Sequence, residues 1–131
     1  MIVVDSSVWI AYLCGPTTPE ADMLGDLLST HPIGVGDLIL AEVLQGFRRQ
    51  RDYEAARREL LRFTLVPMAG RDNALAAAEY YRHLRSRGVT VRGLVDCLIA
   101  AAVIAGDHVL LHSDRDFDHF ERHLGLQVLH P

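Results

Sequence analysis

Five carboxylates stand where an acid has a chemical rather than a solubilising reason to be: Asp5, Glu42, Asp96, Asp114 and Asp116. Asp5 stops the apolar run Ile2, Val3 and Val4. Glu42 lies among Leu40, Ala41, Val43 and Leu44, and Asp96 among Leu94, Val95, Cys97, Leu98 and Ile99. A carboxylate carried into apolar surroundings is costly unless it is paired or bound to a cation. Acids of this kind, gathered at one point, can hold a divalent ion, and Mg²⁺ and Mn²⁺ prefer oxygen donors. Such an ion strengthens a water nucleophile and offsets charge on phosphoryl oxygens. Taken singly, each acid also has a structural reading. Asp5 can cap a helix, and Asp96 can pair with Arg92 one turn earlier. Asp114, Asp116 and Asp118 can form a polar turn. For Glu42 the nearest in-helix cation, Arg49, is two turns away.

Neighbouring patterns exclude other chemistries. A calcium loop starting at Asp114 would need glycine where His119 stands and a bidentate glutamate where Gly125 stands. His112, His119 and His123 lack an HExxH pattern or a cysteine pair, so they read as surface histidines rather than zinc ligands. All 13 cationic residues are arginine. Without lysine there is neither a Walker-type phosphate loop nor a Schiff-base enzyme. Cys14 and Cys97 form no CxxC pair and read as inert, partly buried thiols of a reducing compartment.

The elements that must position the acids alternate between strand and helix patterns. Ile2–Val4 reads as a buried strand, with Ser6 or Ser7 capping the helix after it. Helix patterns cover 20–30, the segment after a capping Asp37, 52–62, 71–87, 91–105 and 113–123. Strand patterns cover 33–35, 63–66, 109–111 and 126–129. Alternation of this kind predicts parallel crossovers in a three-layer α/β/α sandwich, whose strand carboxyl ends form the ligand-binding edge. The length fits a single domain spanning residues 1–131. Half the residues are hydrophobic without depletion of charge, which predicts a soluble globular protein. The apolar run from Leu94 to Ala105 is too short to span a bilayer, and no signal peptide is visible. A cytoplasmic location is expected. The net charge of −4 argues against non-specific coating of DNA, but six arginines crowd residues 48–62 against three acids. By itself that stretch reads as a solvated helix face with internal ion pairs.

Four segments in order, MIVVDSSVWIAYL, GDLILAEVLQGFR, VRGLVDCLIAAAVIAG and LLHSDRDFDHF, resemble the PIN-domain ribonucleases. Within them they resemble the VapC-type toxins of bacterial toxin–antitoxin pairs. The resemblance covers nearly the whole chain. It implies a central parallel sheet, an Mg²⁺- or Mn²⁺-dependent endoribonuclease, a homodimer, and neutralisation by a small VapB-type antitoxin. Asp5, Glu42, Asp96 and Asp114 match the family's acids, Asp116 a more variable acidic position, and Ser7 a small hydroxyl position; Asp5, Glu42 and Asp96 are expected to form the metal-holding core, with Asp114 and Asp116 completing it or orienting water. The arginines of 48–62, with Arg92 and Arg115 nearer the acids, are candidates for contact with the RNA phosphates. Alternatives are a small-molecule phosphatase, a receiver-like module, and a catalytically silent PIN-like module binding RNA or protein. The first two lack a needed second acid near Asp5 and a lysine. The third is expected to have broken acids, which these are not.

Overall fold

The computed structural model describes residues 1–131. Strands β1 (Ile2–Val4), β2 (Ile33–Gly36), β3 (Thr64–Val66) and β4 (Val109–Leu111) alternate with helices. The helices are α1 (Ser6–Cys14), α2 (Pro19–Leu27), α3 (Asp37–Gln45), α4 (Gln50–Leu60), α5 (Arg71–Ser86), α6 (Leu94–Ala105) and α7 (Asp116–Leu124). All strand pairs are parallel, in the order β3-β2-β1-β4. Ile2 stands opposite Ile33 on one side and Val109 on the other. Every residue of β1 and β2 is buried. Because successive strand side chains point to opposite faces, both faces of the sheet are covered. Helices α1 to α4 pack among themselves, and α5 to α7 form a second packed group. This is the three-layer α/β/α sandwich that the alternation predicts.

Two glycines permit close packing within the sheet. A Cβ on Gly34 would lie 2.7 Å from Val66 Cγ2, and one on Gly36 would overlap Met68 Sδ. Helix α6 is the most buried of the helices. Cys97, Ile99, Ala100, Ala101, Ala102 and Val103 are all buried, which fits a helix apolar around its whole circumference. Asp96, in its first turn, is its sole charged residue.

Several local expectations are corrected. Asp5, not Ser6 or Ser7, caps α1: its side chain accepts from Ser7 N. Asp37 begins α3 rather than capping it, and its Oδ1 accepts from Leu38 N and Met68 N, both at 2.8 Å. Helix α6 starts at Leu94 because Val91 to Gly93 form the approach to it. The expected strand at 126–129 reduces to a single bridge between Leu110 and Val128, since Gly125 turns the chain in a left-handed conformation at φ 74°. Cys14 is exposed.

Candidate metal centre at the carboxyl edge of the sheet

The chain order places β2 and β3 to one side of β1 and β4 to the other. The carboxyl ends of β1 and β4 therefore flank a topological switch point, the crevice where open α/β sheets take ligands. Asp5 follows β1 there, and His112, Ser113 and Asp114 follow β4. Helix α6 brings Asp96 in its first turn, and α7 brings Asp116 as its first residue. Both acids thus sit where the helix dipole favours negative charge.

Hydrogen bonds hold this edge in place. Ser7 Oγ donates to Asp5 Oδ2 at 2.6 Å, Ser7 N donates to the same oxygen at 3.2 Å, and Ser113 N donates back to Ser7 Oγ at 3.3 Å. One hydroxyl therefore ties the end of β4 to the acid that ends β1. Asp116 N donates to Asp114 Oδ1 at 3.0 Å, and Asp114 N donates to His112 Nδ1 at 3.2 Å.

Ligand oxygens of Asp96, Asp114 and Asp116 lie within 4.8 Å of one another. Asp5 and Glu42 fall outside that trio, but their charges reach it. Burial and the charges of Asp114, Asp5, Asp116 and Glu42, in that order, push Asp96 up to about 7. The Asp5 carboxyl is raised chiefly by burial, against the lowering effect of the Ser7 and Ser6 hydrogen bonds. Glu42 is raised by burial and then by Asp5 and Asp114. Its Oε1 is buried with no protein partner.

Among the arginines, only Arg92 pairs with these acids. Its Nε is 3.1 Å from Asp116 Oδ2, and its Nη2 is 3.5 Å from Asp114 Oδ1. The in-helix pair with Asp96 does not form, because Arg92 precedes α6 and turns toward the start of α7 instead. Arg115 is exposed beside Asp114 and makes no ion pair.

The sequence reading missed His112. It is buried, not at the surface, and its ring centroid lies 5.0 Å from that of Phe117. Burial lowers its pKa. Because Nδ1 accepts the Asp114 amide, the ring helps to fix the turn that presents Asp114. The available signal was its position directly after the buried β4 run. Trp9, by contrast, is core as its apolar neighbours imply, at 0% exposure.

Residues 2–123 match the family model described as PIN domain. The chain is 33% identical over 133 aligned residues to the VapC ribonuclease Mb1587 of Mycobacterium bovis, covering 98% of this chain and 97% of that relative. The figures are the same for ribonuclease VapC11 of Mycobacterium tuberculosis. Among solved structures, VapBC2 from Rickettsia felis, bound to a DNA fragment from its promoter, aligns with a TM-score of 0.77 at 19% identity over 98% of both chains. FitAcB from Neisseria gonorrhoeae aligns at 0.76 and 16% identity, over 100% of this chain and 98% of that one. At those identities the structural likeness shows the fold alone. A parallel sheet with carboxylates gathered at its switch point, matched over this length, defines the class: the chain belongs to the PIN-domain family. Its full-length likeness to the mycobacterial relatives places it in the VapC branch of that family.

Proposed function

We propose that this chain is a divalent-metal-dependent endoribonuclease acting as the toxin of a toxin–antitoxin pair. The observation that carries the reading is the trio Asp96, Asp114 and Asp116, with oxygens within 4.8 Å of one another at the switch point of a VapC-like fold. The residues fit a hard cation. Every donor offered is a carboxylate oxygen, the preference of Mg²⁺ and Mn²⁺. The unpartnered, buried Glu42 Oε1 and the raised Asp96 show a site short of positive charge.

In this reading Asp96, Asp114 and Asp116 would hold the ion, with Asp5 and Glu42 completing the negative shell. When bound, the ion supplies charge to offset the phosphoryl oxygens and makes water a better nucleophile. The chain's own residues do the rest. Ser7 fixes the Asp5 carboxylate, the His112 ring holds the Asp114 turn, and Arg115 is free to contact phosphate, as Arg92 would be once a cation replaced it on Asp114 and Asp116. Residues 1–131 work as one PIN-like unit, in the cytoplasm and as a homodimer. A VapB-type antitoxin would inhibit it by covering this edge, in keeping with the VapBC complexes among its structural neighbours.

The test is cleavage of total RNA by the purified protein with Mg²⁺ or Mn²⁺, repeated in chelator and with Asp96→Asn. Fragments should appear only for the wild type with metal. Cleavage that survives both chelator and the substitution would sink the reading, and RNA binding without any cleavage would favour a silent module.

A further inference from the structure

The arginine-rich segment does not behave as its sequence suggests. A solvated face with internal ion pairs would show those pairs, yet of Arg48, Arg49, Arg51, Arg57, Arg58 and Arg62 only Arg62 has an acid within reach, Glu59 at 2.9 Å. All six are exposed. Helix α4 turns its apolar side inward through Ala56 and Leu60, with Tyr53 half-buried on the same side. At 100° per residue, Arg51 and Arg58 then fall on the outward side, seven residues and two turns apart. Asp52 and Glu59 fall on a flank of the helix, while Glu54 falls between Arg51 and Arg58, where it accepts from Gln50 Nε2 and pairs with no arginine; the outward stripe thus carries two guanidiniums to one carboxylate, with Arg48 and Arg49 adding charge just before the helix. Leu61, exposed at 54%, stands beside Arg57 and Arg58.

The stripe also adjoins the acids through the chain. Helix α3 carries Glu42, ends at Gln45, and passes through Gly46 and Phe47 directly into Arg48 and Arg49; α3 and α4 pack together. A polyanion reaching the acid edge meets carboxylates there, and the one guanidinium paired to them, that of Arg92, is already engaged. It needs cations to either side.

We propose that α4 and the turn before it form a backbone-binding ridge for single-stranded RNA, with Arg51 and Arg58 each holding a phosphate upstream or downstream of the cleavage point. This rests on the ribonuclease reading above. The two arginines stand about 10 Å apart along the helix at about 1.5 Å per residue. That is roughly three nucleotides of a stacked strand at about 3.4 Å each. Guanidinium forks suit phosphate oxygens, and a ridge that reads only backbone gives affinity without sequence preference. The exposed Leu61 offers an apolar contact to a sugar or base.

The experiment measures binding of a mixed-sequence single-stranded RNA to the full-length protein in chelator, where cleavage is off, across a salt series. The comparison is between wild type, Arg51→Gln/Arg58→Gln, and Arg71→Gln/Arg122→Gln, which makes the same change in net charge on other helices. Loss of two phosphate contacts should lower the slope of log K against log salt by about 1.4, at about 0.7 per contact for single strands. Between about 50 and 200 mM salt, that slope difference is roughly a sevenfold smaller loss of affinity for the α4 variant. The control pair should keep the wild-type slope. Metal-dependent cleavage of a trinucleotide, chosen to engage the acid edge alone, should be the same in all three.

An unchanged slope in the α4 variant overturns the ridge while leaving the ribonuclease reading standing, provided the wild type binds and cleaves. An equal drop in the control pair overturns it as well, by showing a whole-molecule charge effect. Unchanged RNA binding together with lost binding of a co-encoded antitoxin would assign the stripe to a protein partner and overturn the RNA proposal. A wild type that neither binds nor cleaves RNA defeats the ribonuclease reading itself.

Discussion

The acid edge and the arginine helix are the two most charged regions of the molecule, and they are built in opposite ways. The acids come from four separate stretches of the chain: the end of β1, helix α3, the start of α6, and the β4–α7 junction that carries both Asp114 and Asp116. The arginines come from one stretch of fifteen residues. Folding forces the acids into a partly buried crevice, where burial first and neighbouring carboxylates after it raise the pKa values of Asp5, Glu42 and Asp96. It leaves the arginines on an exposed face, where water screens them. Charge at the edge therefore opposes folding until something positive neutralises it, while charge on α4 is nearly neutral for folding and available for a partner. Groups perturbed in this way by burial and neighbouring charge cluster at functional sites.

The largest expected effect comes from removing one of the crowded charges. Asp96→Asn is nearly isosteric, and it should reduce metal-dependent RNA cleavage at least about 100-fold, the upper end of what even outer-shell changes at metal sites cost. In chelator the same variant should melt at or above the wild-type temperature. Relief on the order of 1 kcal/mol corresponds to roughly 3–5 °C for a chain of this size. A variant that is destabilised yet still cleaves would make Asp96 a structural residue and erase the contrast between the two regions.

The next effect is on pH dependence. The folded-state pKa of Asp96, about 7, lies above its ordinary value of 3.8. A raised pKa means the folded state holds the proton more tightly. Its contribution is thus fully favourable below about 3.8 and is lost as the pH rises toward and through 7. Asp5 and Glu42 shift in the same direction. In chelator the melting temperature should therefore fall between pH 5 and pH 8, with ~1 kcal/mol as the order of magnitude for such a coupled set. Saturating Mn²⁺ at about 100 times its Kd should restore about 2.7 kcal/mol and reverse the trend, because the cation competes with protons. A metal-free melting temperature that rises across that range would contradict the crowding.

A smaller loss is expected from Ser7→Ala. The hydroxyl both donates to Asp5 and accepts from Ser113 N. Its removal frees the carboxylate to turn and should lower cleavage about tenfold, with the circular dichroism spectrum unchanged. Restoration by Ser7→Thr would identify the hydroxyl as the positioning group.

Arg92→Gln should act in two directions. Without metal, Asp114 and Asp116 lose their one paired cation, so the melting temperature in chelator should fall slightly; the side chain is 80% exposed, which keeps the effect small. Titration with Mn²⁺ should show tighter binding in the variant, because the guanidinium no longer competes for the same oxygens. Weaker binding would mean that Arg92 orients the acids rather than standing in for the ion.

The smallest effect on stability is expected on α4. Arg51→Gln/Arg58→Gln should leave the melting temperature unchanged at every pH used above, since neither guanidinium has an acid within ion-pair distance. A pH-dependent change there would show that the two regions interact after all.

The amino-acid sequence by itself determined the alternation of strands and helices, because the periods of buried strands and amphipathic helices are written in local hydrophobicity. It also determined which acids were out of place, Glu42 and Asp96 above all, because an acid within an apolar run is visible without coordinates. The clustering of arginines on α4 was equally local. Only the tertiary structure decided who met whom. Whether Arg92 neutralises Asp96 one turn on, or Asp114 and Asp116 across a loop, depends on where α6 begins relative to α7, and the helix start at Leu94 settled it. His112 looked like a surface residue because sequence shows no contact with Phe117, and α4 looked self-paired because spacing permits ion pairs that its side chains do not make. The segment 126–129 had the composition of a strand but only one bridge, since a strand exists through its neighbours and Gly125 turned the chain away from a longer pairing. Local pattern fixes element type because it is a short-range property; the partners of a charge are fixed by packing between residues distant in the chain, and that became readable only once the sheet order placed β1 beside β4.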